Sequence, residues 1–288
     1  MWLGRWRKPG AGPSWPACPW RGSGLSGRGP LVLKLGGSAI TVKEEPFKVD
    51  LEALGRLAHE IAESGVRELI IIHGGGSFGH PLAEKYGIHE GLRDRAQLRG
   101  LAETHRAMEE LNRFVIEALL EEGLPAVPIP PISCFLTRSG RISRAFTGPV
   151  EAVLGLGAIP VLYGDVVMDE EDGFRILSGD QIAAYLALRF SAPRVVLALD
   201  VDGVFTKDPT RHPDAELVEV LRASEIKTIS AGGPGRGIDV TGGMGEKLRE
   251  MAPVAEAGIP VFFTSGKKPG NLLKALRGEK VRGTLLIR

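Results

Sequence analysis

The sequence has few cysteines, little net charge and no long apolar run, and each absence excludes a class of protein. Its two cysteines, Cys18 and Cys134, provide neither a disulfide framework nor the spacing of a metal site. A net charge of +1 gives no general attraction to nucleic acid or to anionic membranes. No apolar stretch approaches the roughly 20 residues of a membrane-spanning helix. We therefore expect a cytoplasmic protein with no nucleic-acid or membrane partner.

Residues 1–30 differ in composition from the rest of the chain. They contain all four tryptophans (Trp2, Trp6, Trp15 and Trp20), five prolines and several arginines. Their apolar residues follow neither a helical nor a strand period, and they lack the continuous apolar core of a signal peptide. We expect a disordered N-terminal extension here, and the alternative is an adhesive aromatic and basic arm.

From residue 31 onwards, short apolar segments alternate with segments of helical period. A long helix is predicted over 96–121, and a helix capped by Asp50 is predicted to end at Gly65. Two hairpins are predicted, over 132–143 and 166–177. The alternation predicts an α/β fold, a three-layer αβα sandwich with a largely parallel central sheet and helices on both faces.

Glycines follow several of the predicted strands, where open α/β sheets bind their ligands. They lie at positions 36–37, 74–76, 164, 203 and 266. The segment Ile70–Pro81 is the clearest case, because an apolar run breaks into three glycines before a helical pattern. Backbone N–H groups at a helix start favour an anion, so this segment predicts an anion site.

The same segment also contains the patterns G-x-G-x-x-G, G-x-S-x-G and HGGG, so no single match is decisive. A dinucleotide site needs an acidic residue at the next strand end, whereas Asp94 falls at a predicted helix start. A hydrolase would need Ser77 as its nucleophile, on a turn that overlaps its own oxyanion loop. A Walker A motif is absent, since the Gly266-Lys267 pair lacks the remaining residues. Phosphoryl transfer is the interpretation that these residues favour.

Phosphoryl transfer needs positive charge and backbone donors around the migrating group. Lys34 interrupts an apolar strand, and a buried lysine is costly unless it is paired or functional. Asp180 lies at a predicted helix start, either as an N-cap or as a partner for a lysine. Lys247 follows two glycines by about one turn, either as a surface residue or as a second cation at the site.

Five motifs in order resemble those of the amino acid kinase family, which includes acetylglutamate, aspartate, glutamate, carbamate and uridylate kinases. They are LKLGGS at 33–38, HGGG at 73–76, SGD at 178–180, DVDGV at 200–204 and DVTGGM with Lys247 at 239–247. The resemblance covers residues 31–288. It implies one kinase domain in which about 31–177 bind the acceptor and about 178–288 bind ATP.

Within this family, the tail of the second motif, GSFGHP at 76–81, resembles the isopentenyl phosphate kinase branch. A histidine at the position of His80 holds the acceptor phosphate there. The resemblance implies conversion of isopentenyl phosphate to isopentenyl diphosphate for isoprenoid synthesis. Fosfomycin kinase is similar at this segment, so another small phosphate or phosphonate is the alternative acceptor. A non-catalytic nucleotide sensor is disfavoured, because Lys34, Asp180 and Lys247 are all present.

The resemblance also assigns roles to single residues. Lys34 and Lys247 would stabilise the transferring phosphoryl group, Asp180 would orient both lysines, and His80 would hold the acceptor. ATP would lie against Lys34, Gly36, Gly37, Lys43, Asp200, Asp202, Gly203, Lys207, Gly243, Met244 and Lys247. The acceptor would lie against Gly74, Gly75, Gly76, Gly79, His80 and Gly164.

Three further expectations come with the resemblance. The acceptor tail would contact an apolar pocket formed by Phe78, Ile88, Met108, Phe146 and Ile159. Mg²⁺ would be bound through the phosphates of ATP, with no metal site built from protein side chains. The chain would form a homodimer.

Overall fold

The computed structural model describes residues 29–209, 211–230 and 242–288. All but the last two residues of the predicted extension over 1–30 lie outside these ranges, as do residues 239–241 of the fifth motif. The strands are β1 (Leu31–Leu35), β2 (Leu69–His73), β3 (Ala126–Pro128), β4 (Phe135–Arg138), β5 (Arg141–Ala145), β6 (Ile159–Tyr163), β7 (Asp165–Asp169), β8 (Gly173–Leu177), β9 (Val195–Leu199), β10 (Val220–Arg222), β11 (Val261–Ser265) and β12 (Thr284–Ile287).

The α-helices alternate with these strands over most of the chain. They are α1 (Gly37–Ile40), α2 (Leu51–Ser64), α3 (Gly76–Lys85), α4 (Gln97–Glu121), α5 (Gly148–Gly155), α6 (Gly179–Arg189), α7 (Ala223–Ser230), α8 (Gly242–Glu256) and α9 (Asn271–Arg277). Single 3₁₀ turns occur at Ile88–Glu90 and Pro131–Ser133. No helix in the described part of the chain is long and apolar enough to cross a membrane.

The central sheet has eight strands in the order β10-β12-β11-β9-β1-β2-β6-β3. The pairs are parallel apart from β11 with β12, which is antiparallel. Strand β1 lies between β2 and β9, so the chain continues outwards in both directions from it. Parallel sheets bind ligands at such a reversal of strand order, beyond the carboxyl ends of the strands.

Helices cover both faces of this sheet, which confirms the predicted three-layer fold. Leu33 and Ile71 face one layer, where they join a core with α2, α4 and α9. Val32 and Ile70 face the other layer and pack with α5, α6 and α8. Because successive strand residues point to opposite faces, Lys34 lies on the same face as Val32, towards α6.

Two helix ends agree with the sequence signals that predicted them. Asp50 is the N-cap of α2, and its carboxylate accepts a hydrogen bond of 3.0 Å from the backbone N–H of Ala53. Gly65 ends α2 in the left-handed conformation, with φ of 72°. The predicted helix over 96–121 is α4, Gln97–Glu121.

The two predicted hairpins join into a second sheet with the order β5-β4-β7-β8. The carboxylate of Asp169 fastens them together, because it accepts backbone N–H groups from Gly140 in the first turn and Asp172 in the second. Burial would raise the pKa of Asp169, but these backbone hydrogen bonds outweigh it and hold the pKa far below its usual value. This second sheet lies on the side of the molecule where α6 and α8 pack.

Candidate active site

Four neighbouring strands of the central sheet end at one edge, and a residue predicted for the site follows each of them. Gly36 follows β1, Gly74 follows β2, Gly164 follows β6 and Asp200 follows β9. The backbone N–H of each glycine is fixed by the adjacent strand, as in the 2.7 Å hydrogen bond from Gly36 to the carbonyl of Ala198. These four residues line a cavity of about 180 Å³.

The glycine loops after β1 and β2 touch each other through their backbones. A side chain at Gly37 would place its Cβ 2.2 Å from the backbone nitrogen of Gly76. A side chain at Gly74 would lie 2.7 Å from the backbone nitrogen of Gly37. Gly76 has φ of 48°, a conformation that L-residues with side chains rarely adopt. Only glycines allow the two loops to approach this closely, and both loops line the cavity.

Lys34, Asp180 and Lys247 form a charged cluster in the same cavity. The Nζ atom of Lys34 lies 3.0 Å from Oδ1 of Asp180, and Nζ of Lys247 lies 3.6 Å from Oδ2. Burial lowers the pKa of Lys34, which is 3% exposed, while Asp180 opposes that shift. Burial would raise the pKa of Asp180, but the two lysines outweigh it and hold the pKa below its usual value. One carboxylate therefore holds two cations in one place.

Asp180 is free for this role because it is not the N-cap of α6. Ser178 is the N-cap, and its hydroxyl accepts a hydrogen bond of 3.1 Å from the backbone N–H of Gln181. The alternative in which Asp180 caps the helix is therefore wrong. Gly179 lies between these two residues, and a Cβ there would be 3.0 Å from the carbonyl oxygen of His73. The start of α6 is thus packed tightly against the end of β2.

The two histidines of the second motif have different environments. His80 lies on α3 and lines the cavity, where desolvation and then the positive charges of Lys247 and Lys34 lower its pKa. His73 is fully buried in β2, and burial lowers its pKa to about 4. The ring of His73 stacks on Tyr163 with the centroids 5.4 Å apart. His73 is a neutral structural residue, whereas His80 is open to a ligand.

The structure brings most of the predicted residues to this cavity. Those that line it are Lys34, Gly36, Gly37, Gly74, Gly75, Gly76, Gly79, His80, Gly164, Asp180, Asp200 and Lys247. The charged cluster and His80 lie between the ends of β1, β2, β6 and β9. Positive charge and backbone N–H groups therefore converge on one small volume, an arrangement suited to two bound phosphates.

Six residues predicted to bind ATP do not line this cavity. Lys43 is exposed in the loop after α1, and Lys207 forms an exposed ion pair with Asp214. Gly243 and Met244 lie in the first turn of α8.

Asp202 and Gly203 complete that set of six, and both are engaged with neighbouring segments. Asp202 accepts hydrogen bonds from Lys268 at 2.7 Å and from Arg282 at 2.8 Å. Gly203 packs against Thr284, where a Cβ would lie 2.5 Å from the hydroxyl oxygen. In the structure, Asp202 therefore ties the segment after β9 to residues that flank β11 and β12.

The predicted tail pocket is wrong for four of its five residues. Met108 lines the cavity, but Phe78 and Ile159 are buried in the core. Ile88 packs in a separate small cluster, and Phe146 is 67% exposed elsewhere on the surface. Apolar character alone does not indicate which face of each helix or strand lines the cavity.

Sequence reasoning missed the residues that form the cavity wall with Met108. These are Ala83, Thr104, Asp165 and Ile176. Two of them follow helical spacing from residues that were predicted, since Ala83 is four residues after Gly79 and Thr104 is four before Met108. The i to i+4 spacing places such pairs on one helix face, so this signal was available in the sequence.

The hydrolase interpretation of the second motif is also wrong. Ser77 is buried in the first turn of α3, and its hydroxyl donates a hydrogen bond of 3.3 Å to the carbonyl of Lys48. Its backbone N–H donates to the hydroxyl of Thr41 at 3.1 Å. Ser77 thus holds the loop after α1 to α3 and is not available as a nucleophile.

The model of the amino acid kinase family matches residues 29–265. The chain belongs to the amino acid kinase family. It is 42% identical to the isopentenyl phosphate kinase of Methanothermobacter thermautotrophicus, over 88% of this chain and 97% of that kinase. The corresponding kinase of Methanocaldococcus jannaschii is 35% identical, over 88% and 96%. A solved structure titled "X-ray structures of isopentenyl phosphate kinase" matches with a TM-score of 0.79 and 40% identity, over 89% of this chain and 99% of that one. The family predicted from the five motifs is confirmed.

Proposed function

We propose that this kinase transfers the γ-phosphoryl group of ATP to isopentenyl phosphate, giving isopentenyl diphosphate and ADP for isoprenoid synthesis. The observation that carries the proposal is the place of the Lys34–Asp180–Lys247 cluster, between two touching glycine loops and beside His80. The similar proteins reported above are isopentenyl phosphate kinases, which supports this acceptor.

The chemistry needs neutralisation of charge more than it needs a base. An oxygen of the acceptor phosphate attacks the γ-phosphorus, and the bond from that phosphorus to the bridging oxygen of ADP breaks. The acceptor is already ionised near neutral pH, so no strong general base is required. Two polyanions must approach each other, and Lys34 and Lys247 would offset their repulsion and stabilise the charge on the transferring group. Asp180 would keep both lysines in place.

The phosphate of the acceptor and the phosphates of ATP would bind to different halves of the chain. We infer that about 31–177 bind the acceptor, through Gly74, Gly164 and the imidazole of His80. About 178–288 would bind ATP, together with the loop after β1. A neutral His80 has one N–H to donate, and a bound phosphate dianion would favour its protonated form.

Mg²⁺ would enter this site with the phosphates of ATP. No group of three or more His, Cys, Asp or Glu side chains in the described residues could hold a metal ion. Of the carboxylates that line the cavity, that of Asp180 is already engaged by two lysines. When bound, the ion would neutralise part of the nucleotide charge.

The wall of the cavity favours an alkyl phosphate over fosfomycin as the acceptor. Ala83, Met108 and Ile176 present apolar groups beside the glycine loops. A branched alkyl tail would bury apolar surface against them, and each buried methylene contributes about 0.8 kcal/mol. The homodimer and the cytoplasmic location remain predictions.

A panel of acceptors tests the proposal by measuring ADP release in a coupled assay. We expect turnover with isopentenyl phosphate and little with fosfomycin or amino acids. The variant His80→Ala should raise the KM for isopentenyl phosphate and lower kcat. His89→Ala is the matched control, because His89 is an exposed histidine outside the cavity. Normal turnover of isopentenyl phosphate by His80→Ala would contradict the role of His80.

A further inference from the structure

The turn between β4 and β5 reaches from the second sheet to the two helices that carry Asp180 and Lys247. The side chain of Gln181 on α6 holds this turn at two points. Its Oε1 accepts a hydrogen bond of 2.9 Å from the backbone N–H of Ile142, and its Nε2 donates one of 3.2 Å to the carbonyl of Gly140. Gln181 follows Asp180 directly, so the turn is anchored next to the charged cluster.

Arg141 at the same turn contacts α8. Its guanidinium donates through both Nη atoms to the two carboxylate oxygens of Glu250, and the Nη2–Oε2 distance is 3.0 Å. Glu250 is 16% exposed at its side chain and lies three residues after Lys247, so the two are neighbours on the helix. A two-pronged contact of this kind fixes orientation as well as distance.

A polar cleft separates the two helices at this end. Residues Ser178, Asp180, Glu246, Arg249 and Glu250 line it. Ile182 of α6 and Leu248 of α8 belong to one apolar core, and Met244 in the first turn of α8 packs against it. That core holds the backbone of α8, whereas polar side chains of α8 border the cleft. Lys247 approaches Asp180 at 3.6 Å beside it. The turn of β4 and β5 spans the two helices at this point.

We propose that Arg141 is a positioning residue for Lys247: by holding Glu250, it sets the place of Lys247 against Asp180. The two hydrogen bonds from Gln181 hold the turn of Arg141 against α6. The consequence for catalysis rests on the proposed function. A displacement of about 1 Å at a reacting centre can cost on the order of a hundredfold in rate. Loss of the Arg141–Glu250 contact should therefore lower kcat more than it weakens substrate binding.

The test compares Arg141→Met with Arg138→Met. Arg138 lies on the same hairpin and pairs at 2.9 Å with Glu170, which belongs to the turn between β7 and β8 and not to α6 or α8. We expect Arg141→Met to lower kcat about tenfold with KM for ATP and isopentenyl phosphate within about twofold. Arg138→Met should leave all three parameters unchanged. The charge exchange Arg141→Glu with Glu250→Arg should recover most of the lost kcat.

A second measurement does not depend on the reaction. The rate of acetylation of Lys247 by an N-hydroxysuccinimide ester, followed by mass spectrometry of the full chain, reports the surroundings of this amine. We expect the rate to change in Arg141→Met, to remain unchanged in Arg138→Met and to return towards normal in the charge exchange.

The outcomes separate this inference from the proposed function. Unchanged kcat in Arg141→Met, or an unchanged acetylation rate of Lys247, would overturn the inference. A loss of kcat that the charge exchange does not restore would also overturn it. If the native chain did not phosphorylate isopentenyl phosphate, the proposed function would fail, and the acetylation rates would still decide whether Arg141 positions Lys247.

Discussion

Thr104 is a buried polar residue in the cavity whose hydroxyl has no hydrogen-bond partner among the described residues. It is 1% exposed and lies on the face of α4 that lines the cavity. A buried hydroxyl without a partner costs about 1–3 kcal/mol. The nearly isosteric change Thr104→Val should therefore raise the free energy of unfolding by about 1 kcal/mol. It should not raise the KM for isopentenyl phosphate, because the tail would meet an apolar wall.

Thr137→Val is the control for this prediction. Thr137 is also fully buried, but its hydroxyl donates to the carbonyl of Met168 at 3.3 Å. Its replacement should lower the free energy of unfolding by about 1 kcal/mol. Urea unfolding of both variants gives the comparison. If Thr104→Val destabilised the chain as much as Thr137→Val, the hydroxyl of Thr104 would make a stabilising hydrogen bond, and the prediction would be wrong.

His105 and Asp165, a residue of the cavity wall, form a partly buried pair that makes stability depend on pH. Nδ1 of His105 lies 2.9 Å from Oδ2 of Asp165, whose side chain is fully buried. The hydrogen bond to Asp165 raises the pKa of His105, and burial raises the pKa of Asp165. Both shifts mean that the folded chain binds more protons than the unfolded chain, so this contribution to stability decreases as pH rises.

The sign of this dependence can be measured with His105→Gln. The contribution of His105 should be complete below its ordinary pKa of about 6.5 and lost as pH rises through the raised value. The variant should lower the free energy of unfolding on the order of 1 kcal/mol at pH 5.5 and by less at pH 8.5. His59→Gln is the control, because His59 pairs with Glu122 at 3.0 Å on the exposed surface. A destabilisation that grew with pH would contradict the assignment.

At the level of elements, the contact between the glycine loops is the most restrictive feature of the site. Gly37→Ala would place a methyl group 2.2 Å from the backbone nitrogen of Gly76, and neither backbone can move without displacing a strand end. We expect this variant to lose at least tenfold in kcat/KM and to unfold at a lower temperature. Gly55→Ala on α2 is the control, since a Cβ there meets nothing within 4 Å.

The control should behave in the opposite way. Alanine is favoured over glycine inside a helix by about 0.8–1.0 kcal/mol, so Gly55→Ala should raise the melting temperature and leave kcat/KM unchanged. Equal activity of the two variants would show that the loops after β1 and β2 can separate without loss of function.

The elements that carry the site were predictable because their signals are local. Apolar runs marked β1 and β2, Asp50 and Gly65 marked the ends of α2, and the glycines marked the carboxyl edge of the sheet. What the sequence could not provide is long-range pairing. Strand β10 lies in a polar stretch and forms by pairing with β12, more than 60 residues away along the chain. The joining of two predicted hairpins into one sheet depends on Asp169 in the same way.

The sequence predicted the charged and glycine-rich side of the candidate site better than its apolar wall. The phosphate side consists of glycines, lysines and Asp180, whose types and order carry the chemistry, and the structure brings these together. The cavity wall proposed to contact the acceptor tail consists of ordinary residues such as Ala83 and Ile176, whose place in the cavity depends only on where their elements lie. That difference explains why the predicted tail pocket failed at Phe78 and Ile159.

For the whole molecule, the shared sheet implies that the proposed acceptor half, about 31–177, and the proposed ATP half, about 178–288, unfold together. Strand β1 from the first half pairs with β9 from the second, and with β2 on its other side. Val32 and Leu248 belong to one continuous core that spans both halves. We therefore expect one cooperative transition in calorimetry. A non-hydrolysable ATP analogue at about 100 times its Kd should stabilise the whole chain by about 2.7 kcal/mol and raise the single midpoint.

The variant Asp180→Asn provides the control for this shift. It leaves the sheet intact but removes the charge that holds Lys34 and Lys247, so the analogue should raise the midpoint less than in the native chain. Two separate transitions, with only one moved by the nucleotide, would show that the halves are independent folding units. One transition that moves as a whole would mean that nucleotide bound beside β9 also stabilises the glycine loop after β2, because strand β1 connects them.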